Sequence, residues 1–201
     1  MKLIIISNPK PVKNESIIIN KFFEKGLKYF HLRKPEFNES EMVKWITAVP
    51  LEFHERIILH SHHHLLHKFD LKGVHFTSWF NSGSTIKSMY RRPVQYSTSY
   101  HSLEEINLNK ISFDYVFLGP VYNSISKKES KSKKYNLNDL KETLLNSKAD
   151  VVALGGISSD KIKEIKNLGF KGVAVLGGVW NSANPLTAFS KIQKTCTAFM
   201  N

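Results

Sequence analysis

The stretch Val151-Val152-Ala153-Leu154-Gly155-Gly156 and, after one intervening segment, the stretch Val173-Ala174-Val175-Leu176-Gly177-Gly178 decide the fold. Each is a short, continuously apolar run that ends in a pair of glycines. Strands that are apolar on both faces are typical of a parallel sheet, because helices cover such a sheet on both sides. The segment between the two stretches, from about Asp160 to Leu168, is predicted to be a helix. The two stretches therefore predict a strand-helix-strand unit with glycine turns at the strand ends.

The same alternation of short strand-like runs and longer helix-like segments extends over the whole chain. Asn38 with Glu41, and Ser102 with Glu105, have the spacing of capping boxes that begin helices. The predicted strands are Leu3–Ser7, Tyr29–Arg33, Arg56–His60, Gly73–Phe76, Val94–Ser99, Tyr115–Leu118, Val151–Leu154 and Val173–Leu176. Eight such units predict the α/β class and a small (β/α)8 TIM barrel, one domain over residues 1–201, with an open doubly wound sheet as the alternative.

Composition narrows the classes of partner. The 201 residues carry a formal net charge of +12, which suits phosphorylated ligands, nucleic acid or anionic membranes. The sequence has no zinc-finger spacing, RNA-binding aromatic signature or basic amphipathic helix, so we expect a small phosphorylated molecule and neither nucleic acid nor membrane. A single cysteine, Cys196, and the absence of a long apolar run predict a cytoplasmic protein. The oligomeric state is left open, a homo-oligomer included.

The glycine pairs predict an anion site. Glycine lets backbone N–H groups approach an anion with no Cβ in the way, and the loops after strands seven and eight commonly bind phosphate in barrels. Gly156, Gly177 and Gly178 are therefore the predicted phosphate ligands. After strand six, the hydroxyls of Ser124 and Ser126 and the amine of Lys127 form a second group able to hold a phosphate or pyrophosphate. The lysines that follow, up to Lys134, are predicted to lie on a lid or in solvent.

Six motifs in register resemble the thiamine phosphate synthase/TenI family over essentially the whole chain. They are His31-Leu32-Arg33, Val74-His75, Ser99–Glu105, Gly119–Lys127, Gly155-Gly156-Ile157 and Gly172–Gly178. The resemblance implies that the glycines hold a thiazole phosphate and that Ser124 and Ser126 contact its thiazole side. In a synthase, Arg33 and Lys127 would hold the pyrophosphate of the second substrate. His31, Lys34 and Ser99 complete the predicted substrate-binding set.

The match breaks at the positions where a synthase of this family holds Mg²⁺. The family has Asn-Asp after strand three and an acidic residue after strand four, whereas this chain has His60-Ser61 and Thr77–Phe80 there. The family's lysine two places after the strand-two arginine is also absent, with Lys34 one place earlier as its only substitute. Since Mg²⁺ takes oxygen ligands, we expect no cofactor, and Mg²⁺ only if the chain is a synthase.

The TenI branch of the family lacks the same residues and tautomerises a thiazole phosphate carboxylate. Such a reaction moves a proton, which histidine can accept and donate near neutral pH. The branch carries its catalytic histidine in a Ser-x-His-Ser-Leu-Glu-Glu segment, and His101 occupies that place here, just after a strand expected to lie opposite strands seven and eight. We therefore predict a TenI-type thiazole tautomerase with His101 as acid/base. Thiamine phosphate synthase and a non-catalytic binding barrel are the alternatives.

The run from His60 to His67 contains five histidines, some of them at helical spacing. Zinc sites usually have a carboxylate or carbonyl behind each histidine, and Asp70 is the only carboxylate near this run. We therefore expect no metal site there, and a partly exposed helix start with His60 near the mouth. Whether His31 and His75 face the mouth or the interior stays open.

Overall fold

The computed structural model describes residues 1–76, 93–122 and 135–199 of the chain. Its eight strands are all parallel and pair in sequence order until β8 closes onto β1. The strands are β1 (Lys2–Ile6), β2 (Phe30–Leu32), β3 (Ile57–Leu59), β4 (Gly73–Phe76), β5 (Gln95–Tyr100), β6 (Tyr115–Leu118), β7 (Asp150–Leu154) and β8 (Gly172–Val175). The predicted barrel is confirmed, and the open doubly wound sheet is wrong.

Helices connect the strands on the outside of the barrel. Within the described residues they are α1 (Glu15–Glu24), α2 (Glu39–Thr47), α3 (Leu103–Asn107), α4 (Leu137–Asn146), α5 (Ile162–Leu168), α6 (Gly177–Trp180) and α7 (Pro185–Thr197). Both predicted capping boxes form at the starts of α2 and α3, and the Asn184 side chain caps α7. None of these helices has the length and apolarity that a membrane crossing needs.

Two helical segments differ from what the sequence predicts. The segment after β3 is a 3₁₀ helix, His63–His67, because only Leu65 and Leu66 of this short stretch reach the core. The 3₁₀ helix Ser159–Lys161 precedes α5 and replaces the first turn of the predicted helix. After the fourth strand the sequence gives only a weak helical signal, around residues 85–90, and these residues lie outside the described part of the chain.

The side chains of the strands form two separate cores. Alternate residues point outward and pack under the helices, whereas the others fill the barrel. The buried residues of the inner core are Ile4, Ile6, Ile58, Tyr115, Phe117, Val152 and Ala174. On β2 to β5, the inward positions closer to the C-terminal ends are polar, and they bring the candidate site into the barrel.

Candidate functional site

The loop after β6 approaches the end of β7 and the turn after it, and the turn after β8 approaches the turn after β7. A Cβ at Gly119 would lie 2.8 Å from the carbonyl oxygen of Leu154, and one at Gly155 would lie 2.7 Å from the Cβ of Pro120. A Cβ at Gly178 would lie 2.5 Å from the carbonyl oxygen of Ile157. Real side chains do not come this close, so glycine is required at each contact. The two glycine turns that the sequence singled out are therefore in direct contact.

The N–H groups of these turns are available to an anion. Gly155 and Gly156 have positive φ angles of 94° and 69°, which turn the chain sharply after β7. The N–H groups of Gly156, Gly177 and Gly178 donate to no acceptor within the described parts of the chain. Unpaired N–H groups on adjoining glycine turns are the arrangement that phosphate sites use.

His101 lies directly after β5 and is exposed. Its ring nitrogen Nδ1 is 3.1 Å from the carbonyl oxygen of Gly119, while its backbone N–H donates to the Glu105 carboxylate. A carbonyl can only accept, so Nδ1 carries the hydrogen and Nε2 presents a lone pair. The ring is thus oriented by the loop after β6, which itself packs against the loop after β7.

The expectation that β5 faces β7 and β8 across the mouth is wrong. In the closed strand order, β5 is separated from β7 by β6 alone, and β3 and β4 lie across from β7 and β8. His101 is therefore closer to the glycine turns than a position across the barrel would be. The hydrogen bond between the His101 ring and the Gly119 carbonyl links His101 directly to the loop after β6.

The two cations after β2 have different surroundings. Arg33 is exposed, and its backbone is fixed by Ser7, whose hydroxyl accepts from the Arg33 N–H at 2.7 Å and donates to its carbonyl at 2.9 Å. Lys34 is 1% exposed, and its amine lies 2.6 Å and 2.8 Å from the two carboxylate oxygens of Glu15. The Trp45 indole N–H donates to the same carboxylate. Because the amine of Lys34 is already paired, the geometry favours a structural role for it over the predicted contact with substrate.

A hydrogen-bonded group of histidines fills the upper part of the barrel on the side of β2 to β5. His31 Nε2 is 2.7 Å from the Tyr115 hydroxyl, and His31 Nδ1 is 2.8 Å from Nε2 of His60. His75 lies between Ser97 and Ser99, with each ring nitrogen 2.8 Å from a serine hydroxyl. Both His31 and His75 thus face the interior, which the sequence had left open. The network was missed because its members are distant in sequence and are brought together only by closure of the barrel.

These imidazoles are neutral. Burial, together with the neighbouring His75, holds the pKa of His31 and of His60 well below the usual histidine value. Burial lowers the pKa of His75 to about 3, with His63 and Arg33 contributing. A neutral imidazole offers one N–H and one lone pair, so each ring can donate at one nitrogen and accept at the other.

The set of potential metal ligands that converges in the described residues does not suit Mg²⁺. The group of potential metal-ligating side chains that converge in the described part of the chain consists of His31, His60 and His75, all nitrogen donors. Mg²⁺ requires oxygen ligands in near-octahedral geometry. The other predicted positions, Ser124, Ser126 and Lys127 and the window Thr77–Phe80, lie outside the described residues.

Known proteins resemble this chain along most of its length. A family model described as Thiamine monophosphate synthase matches residues 3–179. Thiamine-phosphate synthase of Desulfitobacterium hafniense (strain Y51) is 27% identical over 181 residues, which cover 88% of this chain and 86% of that protein. The corresponding enzyme of Lactococcus lactis subsp. cremoris (strain MG1363) is 23% identical over 182 residues, covering 90% and 81%.

Solved structures agree with this assignment. The crystal structure of thiamine phosphate pyrophosphorylase from Bacteroides thetaiotaomicron covers 100% of both chains with a TM-score of 0.82 and 33% identity. Thiamine phosphate pyrophosphorylase from Pyrococcus furiosus shares the fold with a TM-score of 0.81 at 21% identity, over 100% of this chain and 97% of that chain. With a family model matching most of its length and the resembling motifs in register, this chain belongs to the thiamine monophosphate synthase/TenI family, a family of thiamine biosynthesis.

Proposed function

We propose that this protein binds a thiazole phosphate at the mouth of the barrel and tautomerises its ring, with His101 as the acid/base. The observation that carries the proposal is the hydrogen bond between Nδ1 of His101 and the carbonyl of Gly119, which leaves Nε2 as a base. The loop of Gly119 is in contact with the loop of Gly155. A base oriented by the first loop and a phosphate bound at the second would be kept at a fixed separation, which proton transfer requires.

In the proposed reaction the phosphate accepts hydrogen bonds from the N–H groups of Gly156, Gly177 and Gly178. Nε2 of His101 removes a proton from one carbon of the ligand, and the electron pair of that C–H bond enters the ring system. The imidazolium formed keeps its Nδ1–H on the Gly119 carbonyl and returns the proton from Nε2 to a second carbon. Atoms and charge balance within the ligand, and the reaction requires no Mg²⁺.

The second candidate is thiamine phosphate synthase, in which a thiazole phosphate displaces pyrophosphate from a hydroxymethylpyrimidine. The named relatives support this reaction better than the tautomerisation, because they are called thiamine-phosphate synthase or thiamine phosphate pyrophosphorylase. Arg33 and Lys127 are the cations that the family resemblance assigns to the pyrophosphate. The histidine donor set is the observation against it, since it does not supply Mg²⁺ with oxygen ligands.

Both reactions should be assayed on the same purified protein, with and without Mg²⁺. We expect tautomerisation that is independent of Mg²⁺ and that falls at least about a hundredfold in His101→Asn, with the affinity for thiazole phosphate nearly unchanged. His64→Asn is the matched control, because His64 is exposed and pairs with Glu39 away from the glycine turns. Formation of thiamine phosphate without tautomerisation would establish the second candidate. Ligand binding with neither activity would establish a binding barrel.

A further inference from the structure

The histidines inside the barrel come from three adjacent strands. His31 lies on β2, His75 lies on β4, and His60 directly follows β3 between them. One donor nitrogen of each residue lies within 4.8 Å of the others. This set shares only His60 with the run of histidines from His60 to His67. It is therefore a different group from the one that the sequence shows.

Two of the rings already have the outer hydrogen bonds that metal-binding histidines usually have. The Tyr115 hydroxyl is 2.7 Å from Nε2 of His31, and the Ser97 hydroxyl is 2.8 Å from Nδ1 of His75. When the N–H of a ring donates to such an oxygen, the other nitrogen of that ring presents its lone pair. Nδ1 of His31 and Nε2 of His75 are then the nitrogens left to bind an ion.

The donor atoms of the set select among metals. The rings are held neutral by burial, and only neutral imidazole binds a metal. Imidazole nitrogen suits Zn²⁺, Co²⁺, Ni²⁺ or Cu²⁺, whereas Mg²⁺ prefers oxygen. Arg33 is close enough to lower the pKa of both His60 and His75, and a positive charge there favours an anion as the remaining ligand.

We propose that His31, His60 and His75 form a binding site for a divalent transition metal such as Zn²⁺, with a fourth position open for water or an anion. Zinc–nitrogen bonds of about 2.05 Å in tetrahedral geometry place two ligand nitrogens about 3.3 Å apart. Nδ1 of His31 and Nε2 of His60 are now 2.8 Å apart and share one hydrogen. On binding, these rings separate by about 0.5 Å and His60 takes the tautomer that carries its hydrogen on Nδ1, which frees Nε2 for the ion.

His75 must also move. Its ring stacks on that of His60 with centroids 4.2 Å apart, and its Nε2 is bonded to Ser99. Binding therefore turns the His75 ring out of the stack and releases the Ser99 hydroxyl. The movement is confined to side chains, because the three residues are fixed on or next to neighbouring strands.

The test is a titration of chelator-treated protein with Co²⁺, followed by its visible absorption, and with Zn²⁺ in competition. We expect one ion per chain, a tetrahedral Co²⁺ spectrum, displacement by Zn²⁺, and no displacement by excess Mg²⁺. His60→Asn and His75→Asn should each weaken binding at least about a hundredfold. Tyr115→Phe, which removes only the outer partner of His31, should weaken it about 10- to 100-fold.

A variant with both His62→Asn and His64→Asn is the matched control, since it removes histidines from the same run and leaves the barrel set intact. Thermal unfolding of every variant shows whether it is folded before it is titrated. The proposal is overturned if the folded wild-type chain binds no Co²⁺ with a tetrahedral spectrum. It is also overturned if His60→Asn binds as tightly as wild type, or if the control variant loses the ion.

Discussion

Replacing Lys34 by methionine separates a structural role for this lysine from a role in binding substrate. The Lys34 amine is bonded to both oxygens of Glu15 and, at 3.1 Å, to the carbonyl of Lys10. Methionine fills a similar volume but leaves the Glu15 carboxylate buried without its cation. Removing one partner of a buried ion pair costs about 3–5 kcal/mol, so Lys34→Met should unfold about 6–20 °C below wild type.

The double variant Glu15→Gln/Lys34→Met should recover about 1–3 kcal/mol of this loss. Glutamine is neutral and still accepts the hydrogen bond from the indole of Trp45, so no charge is left buried. Denaturant unfolding of wild type, both single variants and the double variant gives the coupling energy. Calorimetry with thiazole phosphate on the folded variants gives the ligand affinity, which should change little.

The loss in Lys34→Met should also depend on pH. Burial already raises the pKa of Glu15 against the opposing effect of Lys34, and removing the lysine raises that pKa further. The folded variant then binds more protons than its unfolded chain, so its stability relative to wild type rises as the pH falls from 7 towards the unfolded value of about 4.3. Unchanged stability at pH 7 together with lost affinity for thiazole phosphate would refute the structural role and restore Lys34 as a substrate ligand.

Further perturbations test the loops, the metal preference and the core. Gly178→Val should abolish thiazole phosphate binding in calorimetry, because its Cβ would meet the Ile157 carbonyl at 2.5 Å and force the two turns apart; unchanged affinity would remove the anion site. Mg²⁺ should bind with a dissociation constant no tighter than about millimolar, or about −4 kcal/mol. Micromolar binding would show that residues other than the three histidines supply Mg²⁺ with oxygen ligands. Trp180→Phe should cost about 1–3 kcal/mol in denaturant unfolding, since the buried indole N–H donates to the carbonyl of Ile6 at 2.7 Å; a smaller effect would mean that water replaces the indole.

The barrel could be predicted well from the sequence because strands and helix starts are marked by residues that lie close together in the chain. Gly73–Phe76 and Tyr115–Leu118 have the predicted strand bounds, and the capping boxes at Asn38 and Ser102 begin helices as expected. Capping needs only residues three apart, and buried strands reveal themselves by continuous apolar runs. The segment after β3 was less predictable, because a single 3₁₀ turn has too few residues to show a period.

The candidate site was predictable only in part, for a physical reason. The glycine turns could be found because their conformational demand is a property of the glycines themselves. The partner of Lys34 is Glu15, which lies on another element and is contacted only through tertiary packing. The sequence of β2 does not reveal to which face of the sheet the His31 side chain points, because its neighbours Phe30 and Leu32 are as fully buried as His31 itself.

The contacts among the loops of Gly119, Gly155 and Gly178 have a consequence for how such a protein can be altered. These loops meet at glycines, where a neighbouring carbonyl or the Pro120 ring leaves no room for a Cβ, so none can be lengthened, shortened or exchanged without displacing its neighbour. In evolution or in engineering they are transferable only as a matched set of three. New substrate preferences in this barrel are therefore expected to arise on the side of β2 to β5, where side chains such as His60, His75 and Ser99 can be replaced while the scaffold of the turns is inherited unchanged.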